Sequence, residues 1–233
     1  MLNQPVRLVL ASASPRRREL LAALGATFTV ITTDAEESQD PVPAAIVDRL
    51  LPIPVPTLQH PTLLAWRKAN AVALHTPDAI VLGADTVVAL EGQILNKPAD
   101  DAEAHLMLRT LAGRTHTVYT GLCLIRPDQP APILDLVAAD VVFTPQSDEA
   151  IAAYVATGEP RDKAGAYGIQ GMGGRLVHEV RGSYTAVVGL PLPATYQLLS
   201  AAGISGLQDP AATFQHWLRS QGKEPPPWPT TSP

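Results

Sequence analysis

Apolar and polar positions along the chain switch between a period of two and a period near 3.6, and the switches mark the elements. Residues 6–11 (Val-Arg-Leu-Val-Leu-Ala) form a short apolar run that reads as a strand. Ser14-Pro15 then supplies an N-cap and a proline at the first helical position, so a helix is expected from there to about Leu24, stopped by Gly25. Residues 27–32 read as a second strand. Leu63, Trp66, Ala69 and Ala73 recur at helical spacing in 62–75, with Pro77 just past the end. Residues 79–84 read as a buried strand ending at Asp85-Thr86, and Glu91-Gly92 separates Val87–Leu90 from Gln93–Leu95 as in a hairpin.

Further along, Asp100 and Glu103 form a capping-box-like start to a helix through Leu111, ended by Gly113. Residues 115–125 and 133–143 read as two long strands. Ser147 caps a helix of about 148–157, closed by Gly158. A glycine-rich segment, 165–174, precedes expected strands at 175–181 and 184–189 and a final helix at 191–202. Strands alternating with helices predict an α/β protein. Short turns between some adjacent strands require antiparallel pairing, so the expected fold is a mixed central β-sheet flanked by helices.

Composition changes this picture in one respect. The chain has 23 prolines in 233 residues, with six in 41–61, three in 127–132 and five in 225–233. The first patch is therefore not expected to be regular structure, and the tail from about Gln208 reads as poorly ordered. A net charge of −5 argues against a nucleic acid polymer held by bulk positive charge. One cysteine, Cys123, excludes an intramolecular disulfide framework and any paired-cysteine zinc site, which is consistent with a reducing compartment. The longest uncharged stretch, Gly182 to Gln208, is broken by Gly189, Pro191 and Pro193, so a strand and a helix explain it better than a membrane span. The expectation is a cytoplasmic protein with no membrane partner.

Five segments could carry chemistry. Ser12-Ala13-Ser14-Pro15-Arg16-Arg17-Arg18 lies between a strand and a helix. The helix N-terminus offers free N–H groups, and hydroxyls and guanidiniums beside it suit an anion. The alternative is a capped helix with solvated arginines, which must explain three cations opposing the helix dipole. Glu36-Glu37 is a solvated turn, or part of a cation site if another carboxylate reaches it. Asp85 is a general base, a metal ligand, or a carboxylate satisfied by local backbone. Lys68, Lys97 and Lys163 are surface lysines singly, but together could neutralise a triphosphate. In Gly165–Gly174 the glycines permit close approach of backbone to a ligand, and Gln170 offers a donor and an acceptor to a base edge; a tight loop is the plainer reading. The six histidines show no metal-ligand spacing, and Cys123 reads as a core residue.

Taken in order, these segments resemble the Maf family of nucleoside triphosphate pyrophosphatases. The matching residues are Leu10 through Arg17, Glu36-Glu37, Lys68-Ala69, Gly83-Ala84-Asp85-Thr86-Val87-Val88, Lys97-Pro98 and Leu111 through His116. Gly158-Glu159-Pro160 through Gly171, Gly182-Ser183-Tyr184 and Val188-Gly189-Leu190-Pro191 complete the set. The resemblance covers roughly residues 6–203. It implies a single two-lobed Maf/ITPase-like domain over 1–207, followed by a Pro-rich flexible tail at 208–233. Residues 50–61 stand as an insertion before the Lys68-Ala69 match.

The resemblance also implies an activity: hydrolysis of a nucleoside triphosphate to the monophosphate and pyrophosphate with a divalent metal, Mg or Mn. By position, Asp85 corresponds to the proton acceptor that activates water, and Glu37 with Asp85 to metal ligands. Ser12, Arg16, Arg17, Lys68, Lys97 and Lys163 correspond to phosphate contacts. Arg16, Thr86 and Gln170 match positions associated with substrate choice. The segment Lys163 through Gly171 is similar to the branch acting on dTTP and UTP. The branch acting on 7-methyl-GTP and a non-catalytic nucleotide-binding role in cell division are the alternatives, as is partner binding through the proline patches. A homodimer is the family expectation.

Overall fold

The computed structural model describes residues 7–224, which divide into two compact units. Within the described residues the first unit comprises 7–85, 120–137 and 189–224, and the second comprises 86–119 and 138–188.

Among the described residues seven strands form one mixed sheet: β1 (Arg7–Ala11), β2 (Thr29–Ile31), β3 (Ala79–Leu90), β4 (Gln93–Leu95), β5 (Thr115–Ile125), β6 (Ile133–Phe143) and β7 (Val177–Gly182). Their order is β2-β1-β3-β5-β6-β7, with β4 paired to β3. β1 runs parallel to both β2 and β3, while β4 and β7 pair antiparallel with β3 and β6. The expected fold class is what the structure shows. β1 and the first half of β3 are buried continuously, which is why they read as unbroken apolar runs rather than alternating ones.

The helices are α1 (Pro15–Ala23), α2 (Ala44–Val47), α3 (Pro61–Ala73), α4 (Asp101–Leu111), α5 (Asp148–Val155), α6 (Tyr184–Val188), α7 (Leu192–Ala201) and α8 (Pro210–Ser220). Their starts follow the capping residues in the sequence. Ser14, Asp100 and Ser147 each accept a hydrogen bond from the backbone three residues on. Glu103 reaches back one residue beyond the cap and accepts from Ala99 N–H at 2.6 Å. In the first unit, Val9, Ala11, Ala65, Ala69, Val72, Ala79, Val81 and Cys123 form a shared core. Burial pushes the Cys123 thiol pKa well up, in keeping with its expected core role.

Four expectations need correction. Residues 184–189 are not a strand: α6 occupies 184–188, started by the Ser183 hydroxyl accepting from Ala186 N–H at 3.1 Å and bounded by Gly182 (φ 107°) and Gly189 (φ 121°). Asp85 does not end its strand, because β3 continues through it to Leu90. The first proline patch is partly regular, with α2 at 44–47 and a 3-10 turn at Thr57–Gln59. The fourth concerns the tail expected from Gln208. Asp209 caps α8 through Ala212 N–H at 2.9 Å, and Thr213, Phe214, Trp217 and Leu218 are buried as α8 packs on α1 and α7. The proline patch at 225–233 lies outside the described residues. Among the described residues no helix is long and apolar enough to cross a membrane.

Candidate active site

The register of β1 against β3 determines where the first unit can hold a ligand. Ala11 pairs with Gly83, so the loop leaving the carboxyl end of β1 lies beside the residues that follow Gly83. From β1 the chain crosses to β2 on one side, while β3 lies on the other. Ser12 therefore sits at a topological switch point of a parallel region, where open α/β sheets bind their ligands. α1 begins here. Its N-terminal N–H groups and its dipole favour an anion.

Ser12 and Arg17 are buried and tied together. The Ser12 hydroxyl oxygen accepts from Ser14 N–H at 3.2 Å and from Arg17 Nη1 at 3.3 Å, while Arg17 Nε donates to the Gly189 carbonyl at 2.8 Å. Burial pulls the Arg17 guanidinium below its ordinary pKa, against the opposing pull of Asp85, with Glu36 adding a weaker pull the same way. Arg16 is half-buried and Arg18 exposed, so the three arginines are not equivalent.

The second constellation arises from a close helix–strand contact. Gly83 and Asp85 lie on one face of β3 by the two-residue period. α3 presses so tightly on that face that a Cβ at Gly83 would fall 2.2 Å from the Ala65 carbonyl oxygen. This approach lets Lys68, on α3, reach Asp85: Nζ donates to Oδ1 at 2.7 Å. The same ammonium pairs with Glu36 Oε1 at 2.8 Å. Lys68 is 8% exposed in its side chain, Asp85 14% and Glu36 29%, so the ion pairs are shielded from water. Glu36 stands on a 3-10 turn, Ala35–Glu37, which packs on α3. Arg67 Nη2 donates to the Asp40 carbonyl at 3.1 Å and ties the chain just beyond that turn to the same helix.

Sequence reasoning gave the metal role to Glu37, which is exposed here, while Glu36 faces Lys68. The other Glu36 oxygen, Oε2, is buried and accepts no hydrogen bond. Among the described residues no three His, Cys, Asp or Glu side chains converge on one point as a metal cage. The 50–61 segment, expected as an insertion, runs into α3, which carries Lys68 to Asp85. Near its end, His60 caps α3 through Thr62 N–H at 3.2 Å, and its other ring nitrogen meets the Leu51 carbonyl at 3.0 Å. Burial lowers the His60 pKa, which suits this neutral capping role.

Thr86, Lys97, Lys163 and Gln170 belong to the second unit. Thr86 is half-buried on β3, and Lys97 is exposed just after β4. Lys163 Nζ donates to the Glu159 carbonyl at 2.6 Å and to Asp162 Oδ1 at 2.5 Å. Gln170 is half-buried in a turn closed by Gly171 N–H donating to the Gly168 carbonyl at 3.2 Å. The loop is pinned at Gly165 (φ 71°), whose N–H donates to the Asn96 carbonyl at 3.2 Å and whose missing Cβ leaves room for Val88. Beneath it, Tyr167 and His116 share a 2.8 Å hydrogen bond and stack edge-on with Phe143. Sequence reasoning assigned no task to Tyr154, Glu159 or Arg67, which hold these segments in place.

The first unit thus offers a helix N-terminus flanked by cations and a shielded carboxylate held by an ammonium. Such an arrangement can bind a phosphorylated anion and accept a proton. A family model for Maf-like proteins matches residues 7–202, and the chain belongs to that family. It is 52% identical over 195 residues to the dTTP/UTP pyrophosphatase of Shigella boydii serotype 4 (strain Sb227), an alignment covering 83% of this chain and 91% of that protein. The dTTP/UTP pyrophosphatase of Escherichia coli O157:H7 matches at the same identity and coverage. A nucleoside triphosphate pyrophosphatase of Shigella flexneri is 51% identical over the same shares.

Proposed function

We propose that this protein is a nucleoside triphosphate pyrophosphatase that hydrolyses dTTP and UTP to the monophosphate and pyrophosphate. The observation that carries the reading is the shielded Asp85 carboxylate, held 2.7 Å from Lys68 in the unit that also presents Ser12 and Arg16 at the start of α1. The names of relatives about half identical over nearly their whole length support the substrate.

In this reading Asp85 takes a proton from water as the water oxygen bonds to phosphorus and the α–β anhydride bond breaks. Lys68 keeps the carboxylate oriented until then. Negative charge builds on the phosphate oxygens, and the α1 N–H groups, Ser12 and Arg16 offset it. Arg17 supports this cradle from beneath through its bonds to Ser12 and Gly189. Lys97 and Lys163 serve as further phosphate contacts, and Thr86 and Gln170 as contacts that select the base.

Asp85, Glu36 and Glu37 suit a divalent cation, Mg or Mn: all are hard oxygen donors, and Glu36 Oε2 is buried without a partner. Carboxylates this few match a cation that completes its shell with substrate phosphates and water. When bound, it supplies charge neutralisation and a more acidic water. The single buried cysteine supports a reducing, cytoplasmic setting, and a homodimer completes the reading; light scattering tests the latter.

The test is pyrophosphate release from a panel including dTTP, UTP and 7-methyl-GTP, with Mg²⁺ or Mn²⁺ titrated. Release is expected from dTTP and UTP first. Release from 7-methyl-GTP alone, or nucleotide binding without turnover, overturns the reading.

A further inference from the structure

Gly158-Glu159-Pro160 is part of the family match, yet the reaction outlined above gives its glutamate no task. Glu159 follows Gly158, which lies in the left-handed region at φ 74° between α5 and a 3-10 turn, and its half-buried side chain turns toward the glycine-rich segment. There its carboxylate accepts three hydrogen bonds. Oε2 accepts from Met172 N–H at 2.9 Å, and Oε1 accepts from Gly173 N–H at 3.2 Å and from the Tyr154 hydroxyl at 2.9 Å. The Tyr154 oxygen in turn accepts from Gly168 N–H at 3.1 Å.

The bonded positions bracket Gln170. Gly168 lies two residues before it, and Met172 and Gly173 lie two and three after. One carboxylate therefore holds both sides of the turn, directly on one and through a buried tyrosine on the other. The backbone lies directly on this group: a Cβ at Gly171 would come within 2.3 Å of both carboxylate oxygens, and one at Gly173 within 2.5 Å of the Tyr154 hydroxyl. The two glycines are needed for this approach. The three groups that reach Glu159 are all donors, which suits an acceptor-only carboxylate and not an amide.

We infer that Glu159 is a positioning residue that, with Tyr154, sets the turn presenting Gln170 and thereby controls how the enzyme binds the base of its substrate. This rests on the proposed pyrophosphatase reading. Glu159 acts on the ligand only through the loop. Its loss weakens nucleotide binding more than it slows the chemistry at Asp85, and leaves recognition of a bare polyphosphate intact. Its backbone carbonyl, which holds Lys163, survives any side-chain change.

The experiment compares wild type, Glu159→Gln and Tyr154→Phe. It measures KM and kcat for dTTP and UTP, the rate ratio of dTTP to a purine triphosphate, and inhibition by inorganic triphosphate, which carries no base. Glu159→Gln places an amide N–H₂ against backbone donors, so KM is expected to rise about tenfold with kcat within about twofold. Tyr154→Phe, close to isosteric, is expected to raise KM by about threefold. The dTTP preference should fall in both, and inhibition by inorganic triphosphate should not change. Unchanged KM and base preference in both variants overturns the inference. So does a fall in kcat alone, or an equal loss of inorganic triphosphate binding. Wild-type protein that hydrolyses neither dTTP nor UTP overturns the functional reading instead, so the two failures are distinct.

Discussion

Replacing Gly83 with alanine puts a methyl carbon 2.2 Å from the Ala65 carbonyl oxygen and 3.0 Å from the Ala69 side chain. The first obstacle is helix backbone, which cannot rotate away. To restore ordinary contact, α3 must retreat from β3 by about 1 Å. Overpacking of this kind costs about 1–3 kcal/mol. For a chain of this length each kcal/mol lowers Tm by about 2–4 °C. The same retreat carries Lys68 with it. A lysine that now sits 2.7 Å from Asp85 Oδ1 then no longer holds that carboxylate in place. Misplacement by about 1 Å costs on the order of a hundredfold in rate. Denaturant unfolding and pyrophosphate release on the same Gly83→Ala preparation read both consequences. Loss of stability with full activity would show that the Lys68–Asp85 geometry is not used. Unchanged stability and activity together would refute the packing argument itself.

Other consequences follow from the same geometry. Lys68→Met leaves Asp85 and Glu36 facing each other, partly buried and without a counter-charge. It should cost about 3 kcal/mol by urea titration and abolish most hydrolysis. Trp217→Ala empties a buried site under α8 and should cost about 3–5 kcal/mol, visible in the same titration; a neutral effect would contradict the packing of that helix. Burial lowers the His116 pKa from 6.5 to about 4. Because the folded value lies below the unfolded one, its contribution is complete above pH 6.5 and is lost as pH falls through 4. The amount is about 3 kcal/mol. Melting curves across this window should show wild type losing stability more steeply than His116→Gln.

What the sequence reveals and what it hides have physical causes. α1, α4 and α5 were legible because Ser14, Asp100 and Ser147 cap them locally, and β1 and β3 because parallel strands buried on both faces are unbroken apolar runs. α6 was not, because Thr185, Val187 and Val188 carry strand propensity, and only the Ser183 cap between two positive-φ glycines turns them into a helix. α8 was hidden by composition. Prolines and polar residues masked the Asp209-Pro210 start and the Phe214, Trp217, Leu218 spacing. In the site, Asp85 and Lys68 were found by type and order. The choice of Glu36 over Glu37 as the lysine's partner depends on the phase of one 3-10 turn, which no pattern carries. The Glu159 network joins positions 5, 13 and 14 residues apart through a folded loop and has no periodic signature.

The central claim is that Asp85 activates water for attack on dTTP or UTP. Its most direct test is single-turnover pyrophosphate release from dTTP by wild type and Asp85→Asn, with nucleotide binding measured on both. Asn keeps the shape and a hydrogen-bonding oxygen toward Lys68 but cannot accept the water's proton. Release should fall by about 10²–10⁴-fold while dTTP still binds. Release by Asp85→Asn at the wild-type rate would contradict the account.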